Sequence, residues 1–182
     1  VKYSACESID FEFTSQKVVS WVQEFEQRYS RYLPNNWLSK INESAGEKPV
    51  LLKEEDEMVL KAASFAFFQS NHAIDPSCFP LTTLWQEAKA KNQVPGDLEI
   101  CQARDLVNWQ NVQISEKDIY LPIKGMGLDF GGFGKEYAVD QIAEKLKLLS
   151  CQNFLVDFGG DIFASGFASE GVPWKIGIEK PV

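Results

Sequence analysis

Half of the ten positions from Gly125 to Gly134 are glycine, and from about Lys135 to Leu149 the chain places Ala138, Ile142, Leu146 and Leu149 on one helical face. A chain that concentrates so much backbone freedom at the start of a helix commits to a tight turn there. With no Cβ atoms, that backbone can approach a ligand or another strand closely. The first N–H groups of a helix have no partner within it, so such a start also favours an anion, phosphate above all. Lys135 adds a cation to the segment, and Asp129 adds a carboxylate for a hydroxyl, an amine or a metal. It is not a Walker loop, because no Gly-Lys-Ser/Thr follows four spacers, and no Gly-x-Gly-x-x-Gly stands in a βαβ unit. On spacing alone two readings stay open. The loop is a ligand cradle, or it is a plain helix-opening turn in which Asp129 caps and the glycines only permit packing.

The pattern elsewhere predicts an α+β class. Residues 9–13 (IDFEF) alternate and read as a strand, with Thr14 or Ser15 as the N-cap of a following helix. That helix carries Val18, Trp21, Val22, Phe25, Tyr29 and Tyr32 at steps of three and four and stops before Pro34-Asn35-Asn36. A second helix is predicted from about Glu54 to Gln69, with Met58, Val59, Ala62, Phe65 and Ala66 inward. A short helix is predicted near Asp97–Ala103, and strands at 111–115, 118–123, 153–157, 161–164 and 173–178. Strands and helices mingle without a βαβ rhythm, which disfavours a doubly wound sheet. The last strand runs straight to Val182 with no closing helix, so the expectation is one domain over 1–182, a mixed sheet packed with helices and interrupted at its C-terminus. A chain that begins at Val1 is expected to be a mature or trimmed product.

Charge and residue counts exclude several classes of function. With 18 basic and 26 acidic residues the net charge is −8, and no Lys/Arg stripe offsets it, so binding to a nucleic-acid backbone is disfavoured. Hydrophobic residues make up 45%, enough to bury a core, but no run approaches the roughly 18–20 residues of a membrane span. Cys6, Cys78, Cys101 and Cys151 are scattered without a Cys-x-x-Cys pair, which argues against a zinc knuckle or a thioredoxin motif. His72 is the single histidine, so multi-histidine metal sites are absent, and any metal would be a hard ion held by oxygens.

Two further segments can carry chemistry. Asp157-Phe158-Gly159-Gly160-Asp161 puts two carboxylates around two glycines, suited to a cation or a ribose, though such a turn is more often a hairpin with solvated acids. In the stretch from Asn71 to Ser77, Asp75 precedes Pro76, which holds it extended and can aim its carboxylate at a ligand edge; a turn-forming Asp-Pro is the simpler reading. The Trp21, Tyr29 and Tyr32 face reads as core rather than as a cofactor wall.

Taken together, four segments resemble one family. LDFGGFGKEYAVDQIAEKL (128–146) is similar to the D-x-G-x-x-x-K-G-Y-A-x-D signature of the FAD:protein FMN transferase (ApbE) family. SRYLPNNWLSKIN (30–42) resembles its S-x-Y-x-P-x-S-x-L-x-x-x-N, and AIDPSCFPLTTLW (73–85) its F-D-P-T-x-x-P-L-x-x-L-W. FLVDFGGDIFASG (154–166) and WKIGIEKP (174–181) resemble its glycine-rich strand-turn and its W-x-x-G-I-x-x-P strand. The order is the family's and the matches span nearly the whole chain.

The resemblance implies a set of site residues. Tyr32 falls beside the flavin, Ala73, Ile74 and Asp75 at a stretch that contacts FAD, and Asp129 and Lys135 at two FAD-contacting positions of the glycine turn. Gly132 falls where the family offers an oxygen to Mg²⁺, and Cys6 takes a flavin-side position if Ala5-Cys6-Glu7-Ser8 aligns with the family's A-M-G-T. No catalytic residue is assigned. Glu136 stands where the family has Gly, beside a phosphate-binding turn, and Asn36 replaces an acidic residue or Ser. The family's S-H-S-x-T-V and A-D-x-x-x-T-A segments, which supply a histidine near the phosphate and the Asp and Thr ligands of Mg²⁺, have no counterpart here.

The implied activity is Mg²⁺-dependent transfer of FMN from FAD to a Thr or Ser hydroxyl of an acceptor flavoprotein such as a redox-pump subunit. Hydrolysis of FAD to FMN and AMP, or FAD binding without catalysis, are the alternatives. An extracytoplasmic location is implied by the family, with membrane association only through a lipid anchor outside this sequence. The residues from Val1 to Val182 are then expected not to transfer FMN by themselves. Incubation with FAD, Mg²⁺ and an acceptor bearing the target threonine, followed by mass spectrometry of the acceptor, checks this. An FMN-sized gain in mass would show that the catalytic set lies within these residues.

Overall fold

The computed structural model describes residues 2–3 and 10–178. In chain order the elements are β1 (Lys2–Tyr3), α1 (Phe11–Tyr29), α2 (Trp37–Glu43), β2 (Val50–Leu51), α3 (Glu54–Gln69), α4 (Phe79–Ala90), α5 (Asp97–Asp105), a 3₁₀ turn (Trp109–Asn111), β3 (Gln113–Ile114), β4 (Asp118–Tyr120), α6 (Gly134–Leu148), β5 (Phe154–Phe158), β6 (Asp161–Ser165), β7 (Phe167–Ser169) and β8 (Val172–Pro173). The class is α+β, as the interspersed pattern predicts, and the pairings within its sheets are antiparallel. Among the described residues no helix is long and apolar enough to cross a membrane. The described cysteines Cys78, Cys101 and Cys151 are free thiols.

The chain divides into two compact units, Phe25–Gly134 and Val1–Glu24 with Lys135–Val182. The second of these holds a sheet of order β1-β5-β6 and the β7–β8 pair. Its core joins Val139, Ile142, Ala143 and Leu146 of α6, Val18 of α1, and Phe154 and Val156 of β5. The period of four along α6 and the period of two along β5 converge on this cluster, and each large side chain buried there stabilises the fold by about 1.5–3 kcal/mol. Asp157-Phe158-Gly159-Gly160-Asp161 forms the β5–β6 hairpin. Gly159 and Gly160 take φ of 64° and 105°, the conformation a tight two-residue hairpin turn needs, and Asp157 Oδ1 accepts the Gly160 N–H at 2.9 Å. The hairpin of the simpler reading is observed, but its acids are not both solvated, since Asp161 is half-buried and pairs with Lys135.

The unit Phe25–Gly134 holds α2 to α5 and a sheet of order β2-β4-β3. Leu38, Ile41, Val59, Leu60, Ala63, Phe67, Ile119, Leu121 and Leu128 are among its buried side chains. Its polar anchor is Asp56, which is fully buried in the first turn of α3. The carboxylate accepts from Arg28 Nε at 2.7 Å and from Arg28 Nη2, from Tyr29 Oη at 2.7 Å, and from the Lys53 N–H at 2.7 Å. Burial and the Asp56 hydrogen bond push the Tyr29 phenol far above its ordinary range.

Several sequence expectations are corrected. Residues 9–13 are not a strand where they are described: α1 starts at Phe11, and Asp10 caps it by accepting the Phe13 N–H at 3.0 Å. Five alternating residues also fit a helix's first turn, and an Asp ahead of them decides for the helix. Thr14 is buried inside that helix rather than capping it, and Tyr32 lies beyond its end, 69% exposed. In α3 the buried face is Asp56, Val59, Leu60, Ala63 and Phe67, whereas Met58 and Phe65 are 52% and 67% exposed. The apolar residues of α3 nearly encircle it, so hydrophobicity alone does not mark its inner face; the Asp56 anchor does. Helix α4 is not among the expected elements; its Pro80 sits in the first turn, where a missing N–H costs nothing. Of 173–178 only Pro173 is in a strand.

Removing the anchor should be costly. Asp56→Ala strands a partly buried guanidinium and a buried phenol, and is expected to destabilise by about 3 kcal/mol. That corresponds to a melting temperature lower by roughly 6–12 °C, read by circular dichroism. An unchanged melt would show that Arg28 and Tyr29 find water instead.

Candidate functional site

The glycine loop is held by contacts distant in sequence. Asn42, at the C-terminal end of α2, donates through Nδ2 to the Leu128 carbonyl at 3.0 Å and accepts the Leu128 N–H on Oδ1 at 2.7 Å. The amide thus pairs with the backbone as a neighbouring strand would. Cys78 and Gly127 form an isolated parallel bridge, and a Cβ at Gly127 would collide with the Phe79 ring. Glycine is required there for close approach rather than for an unusual φ. From Phe130 the chain winds into α6, with the Gly134 N–H donating to the Phe130 carbonyl at 2.7 Å.

Asp129 lies in this loop and is 6% exposed. Its Oδ2 accepts from Thr82 Oγ1 of α4 at 2.9 Å and lies 3.2 Å from Arg31 Nε, while Oδ1 accepts the Gly131 N–H at 2.9 Å. Its own N–H donates to the Pro76 carbonyl at 2.8 Å. A carboxylate this buried would be expensive if unmatched, and one cation with two donors offsets that cost. Arg31 extends the network: Nη1 donates to Thr82 Oγ1 at 3.1 Å, Nη2 to Tyr32 Oη at 3.1 Å, and the guanidinium carbon stands 4.6 Å from the Tyr32 ring centre.

The Asn71–Ser77 loop borders the same place. Asn71 and His72 take φ of 52° and 69°, and the imidazole stacks on Phe67 at 4.2 Å, so the single histidine is committed to a ring contact. Ile74 N–H donates to Ser70 Oγ at 2.9 Å, and a Cβ added to Gly132 would stand 3.3 Å from Ile74 Cγ2. Ile74 therefore lies against Gly132. Asp75 is half-buried; its Oδ1 accepts from Ser77 N–H at 2.8 Å and Oγ at 2.6 Å, and its Oδ2 accepts the Trp109 N–H at 3.3 Å. Both of its carboxylate oxygens thus accept bonds that shape its own loop and join it to the 3₁₀ turn.

Of the residues singled out by sequence, Tyr32 and Asp129 are joined through Arg31, Ile74 lies against Gly132, and Asp75 precedes Pro76, whose carbonyl takes the Asp129 N–H, with Ala73 exposed beside Ile74. Lys135 belongs to the other unit, where its ammonium pairs with Asp161 Oδ2 at 2.7 Å; that hydrogen bond, then the Asp161 charge, raise its pKa. Glu136, the departure from the family motif, is exposed. Cys6 lies outside the described residues. Arg31, Thr82 and Asn42 were not anticipated, and nothing in local spacing announces a pairing between such distant positions. Asn36, a departure in sequence, caps α2 by accepting the Ser39 N–H at 2.8 Å. Among the described residues no three His, Cys, Asp or Glu side chains converge as a metal cage, and Gly132 offers a lone carbonyl. The arrangement links an exposed aromatic ring, through Arg31, to a buried carboxylate in a close-packed backbone turn.

The whole chain, residues 1–182, matches the ApbE family. It is 28% identical over 163 residues to the FAD:protein FMN transferase of Vibrio cholerae, covering 88% of this chain and 48% of that protein. It is 29% identical over 165 residues to the FAD:protein FMN transferase of Chlamydia pneumoniae, covering 89% and 52%. Among solved structures, the flavinyl transferase ApbE of Pseudomonas stutzeri in its apo form superposes with a TM-score of 0.88 at 25% identity, over 98% of this chain and 58% of that one. The chain therefore spans about half the length of the curated relatives it matches.

Cys78 reports on the charge of this site. Burial first, then the Asp129 and Asp75 carboxylates, push its thiol up to about 11, so at neutral pH it is protonated and a poor nucleophile. Its alkylation by iodoacetamide, followed by peptide mass mapping, should be slow at pH 8 and climb with pH until about 11. Asp129→Asn removes a negative charge, lowers that pKa and should speed alkylation at pH 9. A rate that ignores the substitution would place the carboxylate too far away to matter.

Proposed function

We propose, since the chain belongs to the ApbE family, that it binds FAD through the Asp129 network and serves transfer of FMN from FAD to a hydroxyl of an acceptor protein. The observation that carries this reading is the buried Asp129 carboxylate, fixed on three sides by Thr82, Arg31 and the Gly131 N–H within the segment that bears the family motif. The flavin lies against Tyr32, and Ala73, Ile74 and Asp75 form the border of its polar edge. The names of the Vibrio and Chlamydia relatives support FAD as the donor and a protein as the acceptor.

In the reaction the acceptor's Thr or Ser oxygen bonds to the flavin-side phosphorus of FAD, the bond from that phosphorus to the bridging oxygen breaks, and AMP departs as the hydroxyl proton is lost. Such a displacement asks for in-line positioning more than for covalent help. Positioning is what this chain's residues supply: Asp129 and Asp75 hold polar atoms, and the glycine turn lets the backbone come near. Mg²⁺ would supply neutralisation of charge at the phosphates, given a complete set of ligands. It demands about six oxygens, and the Gly132 carbonyl is one of them at most, so the residues here do not fit a complete Mg²⁺ site. The acceptor we favour is a redox-pump subunit or similar flavoprotein on the extracytoplasmic side.

A fluorescence titration of FAD into the protein tests the reading. Saturable quenching of the flavin is expected, and its absence would overturn it. Asp75→Ala removes a charge-assisted contact of roughly 1.5–3 kcal/mol and should weaken binding about ten- to a hundredfold. An unchanged affinity with an unchanged melt would reduce Asp75 to a loop residue.

A further inference from the structure

We infer that Arg31 is a positioning residue that holds the Tyr32 ring for the flavin; the inference rests on the FAD-binding reading above. Tyr32 stands in a turn beyond α1, 69% exposed, and the contacts described for its side chain are both with Arg31. A ring so placed would sample several rotamers in water and lose that freedom on binding a ligand. Arg31 removes it in advance. Its guanidinium covers one ring face at 4.6 Å and donates to the phenol oxygen at 3.1 Å, which ties both the plane and the tip of the ring. The opposite face is left for a planar partner.

The guanidinium can do this because it is itself immobile. Its side chain is only 14% exposed, and it is forked between Asp129 Oδ2 at 3.2 Å and Thr82 Oγ1 at 3.1 Å. Three groups at different angles require a planar fork of donors. A lysine ammonium keeps the charge that Asp129 needs but cannot serve Asp129, Thr82 and Tyr32 together. The order of dependence is therefore Asp129 and Thr82 to Arg31, and Arg31 to Tyr32.

A double-mutant cycle on the whole protein tests this, with FAD affinity and the flavin fluorescence of the saturated complex as readouts and thermal melting as a check on folding. Arg31→Lys should weaken FAD binding about tenfold and leave the bound flavin less quenched, since the ring is no longer held against it. In a Tyr32→Ala background the same substitution should no longer alter the quenching and should cost clearly less in affinity, since only the Arg31–Asp129 pairing is then disturbed. An equal loss in both backgrounds would show that Arg31 acts on FAD directly or through Asp129, and would overturn the inference. So would an Arg31→Lys protein that binds and quenches like the parent. If the parent protein itself fails to bind FAD, the flavin reading falls and this inference falls with it, a result distinct from the other two.

Discussion

A carboxylate withdrawn from water has to be matched by charge and donors, and Asp129 is matched by groups from three separate stretches of chain: Arg31 after α1, Thr82 in α4 and the backbone of Gly131. That requirement orders the neighbourhood. Arg31 can reach only if the turn after α1 is held, which Asn36 does by donating to the Ser30 carbonyl at 2.6 Å while it caps α2. Thr82 can reach only if α4 begins at Phe79, whose ring fills the space Gly127 leaves empty. The Asp129 N–H then ties the loop to Pro76, next to Asp75. Motif positions that are scattered in sequence thus become neighbours through one electrostatic obligation.

The same logic recurs at Asp56, with a different consequence. There Arg28, Tyr29 and the Lys53 N–H surround a carboxylate with no exposed side, and the result is a rigid join between α1 and α3. At Asp129 one of the partners, Arg31, reaches on to an exposed aromatic ring. Two buried acids in one unit therefore divide between holding the fold and presenting a surface.

Much of this was legible in the sequence, and the limits have physical causes. Helix α3, the hairpin of β5 and β6, and the glycine turn into α6 announce themselves by periodicity and by paired glycines, because those signals are local. The face of α3 was misread because Met58 and Phe65 are as apolar as Val59 and Leu60, and only the buried Asp56 breaks the tie. The strand expected over residues 9–13 failed because five residues cannot separate a period of two from a helical first turn when an Asp precedes them. Family motifs pointed to Tyr32, Ile74, Asp75, Asp129 and Gly132, which lie in adjoining turns, but not to Arg31 or Thr82, whose roles come from partners far along the chain. The Lys135 ammonium, read as a cation for phosphate, is exposed and pairs with Asp161, a partner that local spacing does not announce.

The Asn42 amide that clasps Leu128 gives the glycine loop a kind of latch. Both of its bonds to the backbone belong to one side chain, so they are made or lost together. A ladder of backbone bonds would have frayed one rung at a time. A single amide instead makes the clasp on the Leu128 peptide all-or-none, while the Gly127–Cys78 bridge and the Asp129–Pro76 bond hold the loop on either side of it.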